Sequence, residues 1–271
     1  MKQGEIITTQ HNTTYLTKPI KEENPAIIIT GSTSYVGQYF VNYFKQQGIQ
    51  NIYAPTHAEL DLTNKQSVDE YVEKTDFGNS KHLIYLPFVA KFKWEPEGIP
   101  AIDLNKDGID DEIFETTCNT FENMVDALEK QINKEYKTLT ITNFGSISKG
   151  RVPYWQSFDK AHEHNKKFLE NKVQSNQNIN GSYFFVSSIY TPNEVLIRPN
   201  KLPQTMVNEW MSETEIVDAM GPEILAADYK WKEVEIYKFR EEKQNHHNNP
   251  EELLKIWEQD MGTGSILFKR K

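Results

Sequence analysis

A chain of 271 residues with 37% hydrophobic and 12% aromatic side chains can bury roughly 70–75% of its unfolded surface in one large α/β domain, which excludes a disordered chain. The net charge of −9 opposes a general affinity for nucleic acid or anionic membrane, and the single cysteine, Cys118, excludes an internal disulfide framework. The chain has no long apolar run of membrane-spanning length, and Met1–Asn24 lacks the apolar stretch of a signal peptide, so a cytoplasmic protein is expected.

Residues 1–24 are rich in Thr, Gln and Lys, with apolar pieces only at Ile6–Ile7 and Tyr15–Leu16. They read as a polar N-terminal extension, a mobile arm; a short strand pair used in oligomer contacts is the alternative. The domain proper spans 25–271.

The stretch AIIITGSTSYVG, Ala26–Gly37, organises the remainder of the chain. Ile27, Ile28 and Ile29 are β-branched and uninterrupted, as in a central strand covered on both faces. A helix-like run, Gln38–Gln47, comes directly after. Gly31 permits a sharp turn and Gly37 a close approach of helix to strand, so that backbone N–H groups among Ser32, Ser34, Tyr35 and Val36 face an anion. Ser34 stands where the pattern TGxxGxxG has its middle glycine. The two glycines alone fit an ordinary strand-to-helix turn equally well.

Gly48 stops the helix and Asn51–Ala54 reads as a second short strand. In Glu59–Val72, Asp61 and Leu62 end a very short third strand, and Thr63 caps a helix whose apolar face is Val68, Tyr71 and Val72.

Together, TGSTSYVG and THAELDLTNKQSVDEYV resemble the short-chain dehydrogenase/reductase superfamily, the second piece especially its extended, sugar-nucleotide-modifying branch. The resemblance implies a Rossmann-like, doubly wound α/β fold with a predominantly parallel sheet, in a single domain with a small C-terminal substrate region at about 187–260. It also implies a bound NAD or NADP, with Asp61 and its neighbour Leu62 beside the adenine ring. Pro55, Thr56 and His57 follow the second strand, with Glu59 nearby, and do not choose between the two cofactors.

His82–Phe88 is the next buried strand. Of the small residues that the family usually has after it, near the cofactor ribose, only Ala90 has a counterpart here. An insertion-like segment, Lys91–Asp111, then carries DLNKDGIDDE. Asp103, Asn105, Asp107, Gly108 and Asp111 match positions one, three, five, six and nine of a calcium loop, but Phe114 occupies position twelve. A solvated turn capping the next helix, Ile113–Gln131, is the preferred reading, with a calcium site as the alternative.

Thr138–Asn143 reads as a further parallel strand. By resemblance, Ser146 or Ser148 polarises a carbonyl oxygen, Tyr154 supplies the proton, and Lys160 holds the nicotinamide ribose and lowers the tyrosine pKa. The family's tyrosine lies four residues before its lysine, on the same helix face, where this chain has Gln156. Tyr154 is six residues before Lys160, about 240° around a continuous helix. His162 and His164, on a helix, point about 200° apart and read as part of a polar face; His246–His247 read as surface loop.

Gly181–Ser187 is read as a strand, Met206–Met220 as a helix stopped by Gly221–Pro222, and Trp231–Phe239 as an added strand. Pro250–Met261 is read as a terminal helix before a last strand in GTGSILFKR. The whole implies an NAD(P)-dependent oxidoreductase acting on a carbonyl or hydroxyl of a small molecule, a sugar nucleotide being one such substrate. The alternative is a catalytically degenerate nucleotide-binding member with a structural or regulatory role. Nucleic-acid and membrane partners are not expected, and homo-oligomerisation is left open.

Overall fold

A computed structural model describes residues 4–20, 24–93, 95, 100–135, 137–147, 149, 155–187, 189 and 210–239. The strands are β1 (Ile6–Tyr15), β2 (Ala26–Thr30), β3 (Ile52–Tyr53), β4 (His82–Pro87), β5 (Thr138–Ser146), β6 (Ile179–Val186) and β7 (Tyr229–Lys238). They form one sheet in the order β1-β7-β6-β5-β4-β2-β3. All neighbouring pairs are parallel except β1 with β7. The chain leaves β2 for β3 on one side and returns to β4 on the other, which opens a crevice at the carboxyl end of β2.

The buried run in β2 follows from two-sided cover. Ala26 and Ile28 point to one face, with Leu83, Tyr85, Leu139 and Ile141. Helices α2 (Lys65–Lys74), α4 (Thr120–Glu135) and α5 (Gln156–Ser175) close that face through Val68, Val72, Met124, Leu128 and Leu169. Ile27 and Ile29 point to the opposite face, covered by Phe40 and Phe44 of α1 (Tyr35–Gln46) and by Ile216, Met220 and Ile224 of α6 (Glu213–Leu225). The expected Rossmann-like, single-domain α/β architecture is therefore observed.

Several elements differ from expectation. Ile6–Tyr15 is an edge strand of the sheet, not a mobile arm: it pairs antiparallel with β7 from Ile6–Lys238 to Tyr15–Tyr229. Its polar run lacks hydrophobic alternation because the strand is held by backbone pairing and by contacts such as Gln10 to Glu223 at 3.1 Å. No strand ends at Asp61–Leu62; after β3 the chain runs in turns to α2. The helix expected over 113–131 begins as α3 (Asp111–Ile113), passes through a π-helical turn at Phe114–Asn119 and continues as α4. Nor do Gly221–Pro222 stop a helix: both lie inside α6, where a side chain on Gly221 would run into the ring of Tyr43 from α1. The glycine serves helix–helix contact rather than termination. The C-terminal helix and last strand, and His246–His247, lie outside the described residues.

Candidate functional site

The turn between β2 and α1 is shaped by two close backbone approaches. Gly31 has φ +67°, the left-handed region that glycine adopts without strain. A Cβ there would run into the Phe88 carbonyl, with the carbonyl carbon 2.7 Å and Val89 Cγ2 3.0 Å away. A Cβ on Gly37 would run into the Gly31 carbonyl and lie 2.9 Å from Ser34 Oγ. Ser34, in extended geometry, is the N-cap of α1: its hydroxyl oxygen accepts from Gly37 N at 3.1 Å. It fills a capping position, which is why a serine suits the place of the middle glycine.

The first turn of α1 holds no acidic side chain, and its leading amides lack intrahelical acceptors by the geometry of a helix start. Tyr35 packs edge-on against Tyr39 with ring centroids 5.8 Å apart, and Val36 leans on the core. Buried Ser32 donates to Ala54 O at 3.3 Å, which ties the turn to the end of β3.

Beyond β3, Glu59 accepts from Thr56 N and Thr56 Oγ1 at 2.8 and 2.9 Å, and these bonds hold its carboxyl below the usual carboxylate range. Asp61 accepts from Thr63 Oγ1 at 2.7 Å and from Thr63 N at 3.0 Å, which lowers its pKa in the same way. The carboxylate is thus fixed and ionised in the loop leading to α2. The carbonyl of Leu62 is held by Asn123 of α4 at 3.2 Å.

After β4, Phe88 stacks between Phe40 and Phe144, with centroids 4.9 and 4.8 Å apart, and donates its amide to Thr30 O at 2.9 Å. The backbone of Phe88 therefore passes directly over Gly31, followed by Val89 and exposed Ala90. The larger residues are accommodated because the phenyl ring turns down into the α1 face. Sequence reasoning missed this role of Phe88; a buried strand ending in a turn glycine was the available signal.

Ser146 closes β5 opposite Val186, at the same carboxyl edge of the sheet. Ser148 and Tyr154 lie outside the described residues. Lys160, exposed on α5, lies with its ammonium against Gly108 of the inserted segment. The structure thus brings together Gly31, Ser32, Ser34, Gly37 and the exit of β4, while Lys160 engages the insert.

Within that insert the carboxylates bond backbone amides. Asp103 accepts from the amides of Asp107 and Gly108 at 3.1 and 2.9 Å, Asp107 from Ile109 N at 2.8 Å, and Asp111 from Leu104 N at 3.1 Å. Among the described residues no three His, Cys, Asp or Glu side chains converge on a metal position. Asp103, Asp107 and Asp111, three of the residues named for the calcium alternative, thus hold the loop's own backbone. Of the polar face expected at His162 and His164, only the second residue belongs to one. His164 bonds Glu122 at 2.6 Å, whereas His162 is buried, its ring centroid 4.4 Å from that of Phe158.

The helix start suits an anion such as a pyrophosphate: it is capped and holds no carboxylate in its first turn, and the two glycines let the backbone of Phe88 and Gly31 pack closely around it. The sequence pattern of the NAD dependent epimerase/dehydratase family matches residues 27–89, which span this cradle and both flanking strands. No curated protein matches the chain by sequence. In fold, the protein is similar to a short chain dehydrogenase from Burkholderia cenocepacia J2315 in complex with NADP, with TM-score 0.61, 14% identity, and coverage of 86% of this chain and 97% of that one. It is also similar to a 3-oxoacyl-[acyl-carrier protein] reductase from Brucella melitensis ATCC 23457, with TM-score 0.58, 11% identity, and coverage of 83% and 97%. A ribose-5-phosphate isomerase from Brucella melitensis 16M matches with TM-score 0.60, 14% identity, and coverage of 78% and 91%. At these identities the likeness is one of fold, and the activities of these proteins differ from one another. Among the described residues no helix is long and apolar enough to cross a membrane.

Proposed function

We propose that the protein is an NAD(P)-binding oxidoreductase of the short-chain dehydrogenase/reductase type, acting on a carbonyl or hydroxyl of a small molecule. The observation that carries this reading is the backbone cradle of Gly31 and Gly37 at the start of α1, beneath the exit of β4. Gly31, Ser32, Ser34, Tyr35, Val36 and Gly37 would hold the pyrophosphate, Asp61 and Leu62 the adenine side, and Ala90 the ribose. The bound cofactor would supply or accept a hydride.

In this scheme Ser146 or Ser148 donates a hydrogen bond to the reacting oxygen and Tyr154 delivers the proton. Lys160 would leave Gly108 to approach the ribose. The resemblance of THAELDLTNKQSVDEYV to the sugar-nucleotide-modifying branch makes a sugar nucleotide the substrate class of this proposal. Calorimetric titration with NAD+, NADH, NADP+ and NADPH tests the reading. At least one is expected to bind, and Gly31→Asp or Gly37→Asp to weaken that binding at least tenfold by steric and charge conflict. Failure of all four to bind the wild-type protein overturns it.

A second reading has its own observation. Lys160 rests on Gly108, and Gln156 occupies the place where a tyrosine would share its helix face. These favour a nucleotide-binding protein without redox turnover, in which the cradle remains and the proton path does not.

A further inference from the structure

Helix α5 starts without a cap of its own. Trp155, at its N-cap position, has φ −148° and ψ 41° and makes no side-chain capping bond. The orphan amides of a helix start need acceptors, and a buried start needs them from within the protein. Here the acceptor comes from far along the chain. Glu95, only 3% exposed, takes a hydrogen bond from Ser157 N at 3.0 Å with one carboxylate oxygen and from Ser157 Oγ with the other.

Ser157, fully buried, is the junction of three segments. Its hydroxyl donates to Glu95 and accepts from Asp110 N at 3.0 Å. Asp110 in turn pairs with Lys93 at 2.6 Å and accepts from Glu112 N at 3.1 Å, where α3 begins. Lys93 reaches Glu112 at 2.7 Å. The insert is thereby stitched to the first turn of α5, and Lys160, one turn on, lies across its Gly108.

We propose that Glu95 is the N-terminal cap of α5 and the positioning residue for Lys160. A carboxylate there satisfies two donors at once and complements the positive end of the helix dipole. Replacing it by a group that cannot accept leaves the buried Ser157 amide and the proton of its hydroxyl without an acceptor, and the first turn of α5 then loses its register against the insert. The bearing of this on turnover rests on the oxidoreductase reading; the placement of the helix start does not.

The test uses the full-length, ligand-free protein in two measurements. Hydrogen exchange of the peptide spanning Ser157–Ala161 is expected to be about tenfold faster in Glu95→Ala than in wild type, with a smaller increase in Glu95→Gln, which keeps an acceptor oxygen. The peptide spanning Val36–Phe40 is expected to stay unchanged. Reductive methylation of Lys160, measured against exposed Lys167 in the same sample, is expected to shift at least threefold in Glu95→Ala. Unchanged exchange and an unchanged Lys160 to Lys167 ratio overturn the proposal. So does faster exchange throughout the protein with no selective change at α5. If Glu95→Ala does not fold, Glu95→Gln decides by the same two readouts. Nucleotide titration of the wild type succeeds or fails independently of this result.

Discussion

The amide of Gly37 donates to the hydroxyl of Ser34 at 3.1 Å, so the serine between the two glycines caps the helix that they position. Removing an N-cap oxygen costs about 1 kcal/mol. Ser34→Ala is therefore expected to lower the unfolding free energy by about that amount, read from urea denaturation, while Ser34→Asp keeps the stability. An unaltered midpoint in Ser34→Ala would show that the cap is not needed.

Gly31 and Gly37 should respond differently to alanine. At Gly31 the left-handed backbone alone costs a non-glycine residue about 1–2 kcal/mol, and the overlap with Phe88 adds to it. Gly31→Ala is expected to be the more destabilising of the two. Gly37→Ala, whose neighbour is the Gly31 carbonyl, should cost about 1–3 kcal/mol by overpacking. Thermal melts of the two variants rank the costs, and the reverse order would contradict the geometry.

The oxidoreductase reading predicts turnover carried by the proposed proton path. With a panel of carbonyl substrates and reduced cofactor, Tyr154→Phe and Lys160→Ala are each expected to lower kcat by about 100-fold or more. Turnover indifferent to both changes removes Tyr154 and Lys160 from the chemistry. Nucleotide binding without turnover on any substrate favours the second reading.

Acid should destabilise the fold through two histidines. Burial pushes His82 and His162 down to about 4, from an unfolded value near 6.5. Between those values the unfolded chain binds protons that the folded chain refuses, so stability falls as pH drops from 6.5 towards 4. Above pH 7 both are neutral in either state and contribute no slope. Each complete shift corresponds to on the order of 3 kcal/mol. Urea midpoints measured from pH 7.5 to 4.5 should decline, and His162→Gln should flatten the decline; equal slopes in the two proteins would count against His162.

Gly221 offers a packing test remote from the cradle. Its missing side chain makes room for the ring of Tyr43 where α6 crosses α1. Gly221→Val should cost about 1–3 kcal/mol by overpacking, measured by denaturation, and Gly221→Val combined with Tyr43→Ala should lose less than the sum of the two.

By itself the sequence determined what neighbours along the chain can determine. An apolar run leading to a glycine specifies a strand buried on both faces, and Gly31 and Gly37 at their spacing specify a turn that lets helix, strand and backbone approach. Helical spacing of Phe121, Met124, Val125 and Leu128 within Ile113–Gln131 likewise marks which face enters the core. Only the tertiary structure decided the rest, because those features join residues far apart with no local pattern to mark them. Polar β1 becomes a strand through backbone bonds to β7, more than two hundred residues away. The carboxylates of the 103–111 loop turn inward to its own amides, and Lys160 lies on Gly108 instead of declaring its partner by spacing. Glu95 caps a helix sixty-two residues later in the chain. Capping across space depends on which buried donor would otherwise go unpaired, a quantity that exists only once the chain has folded.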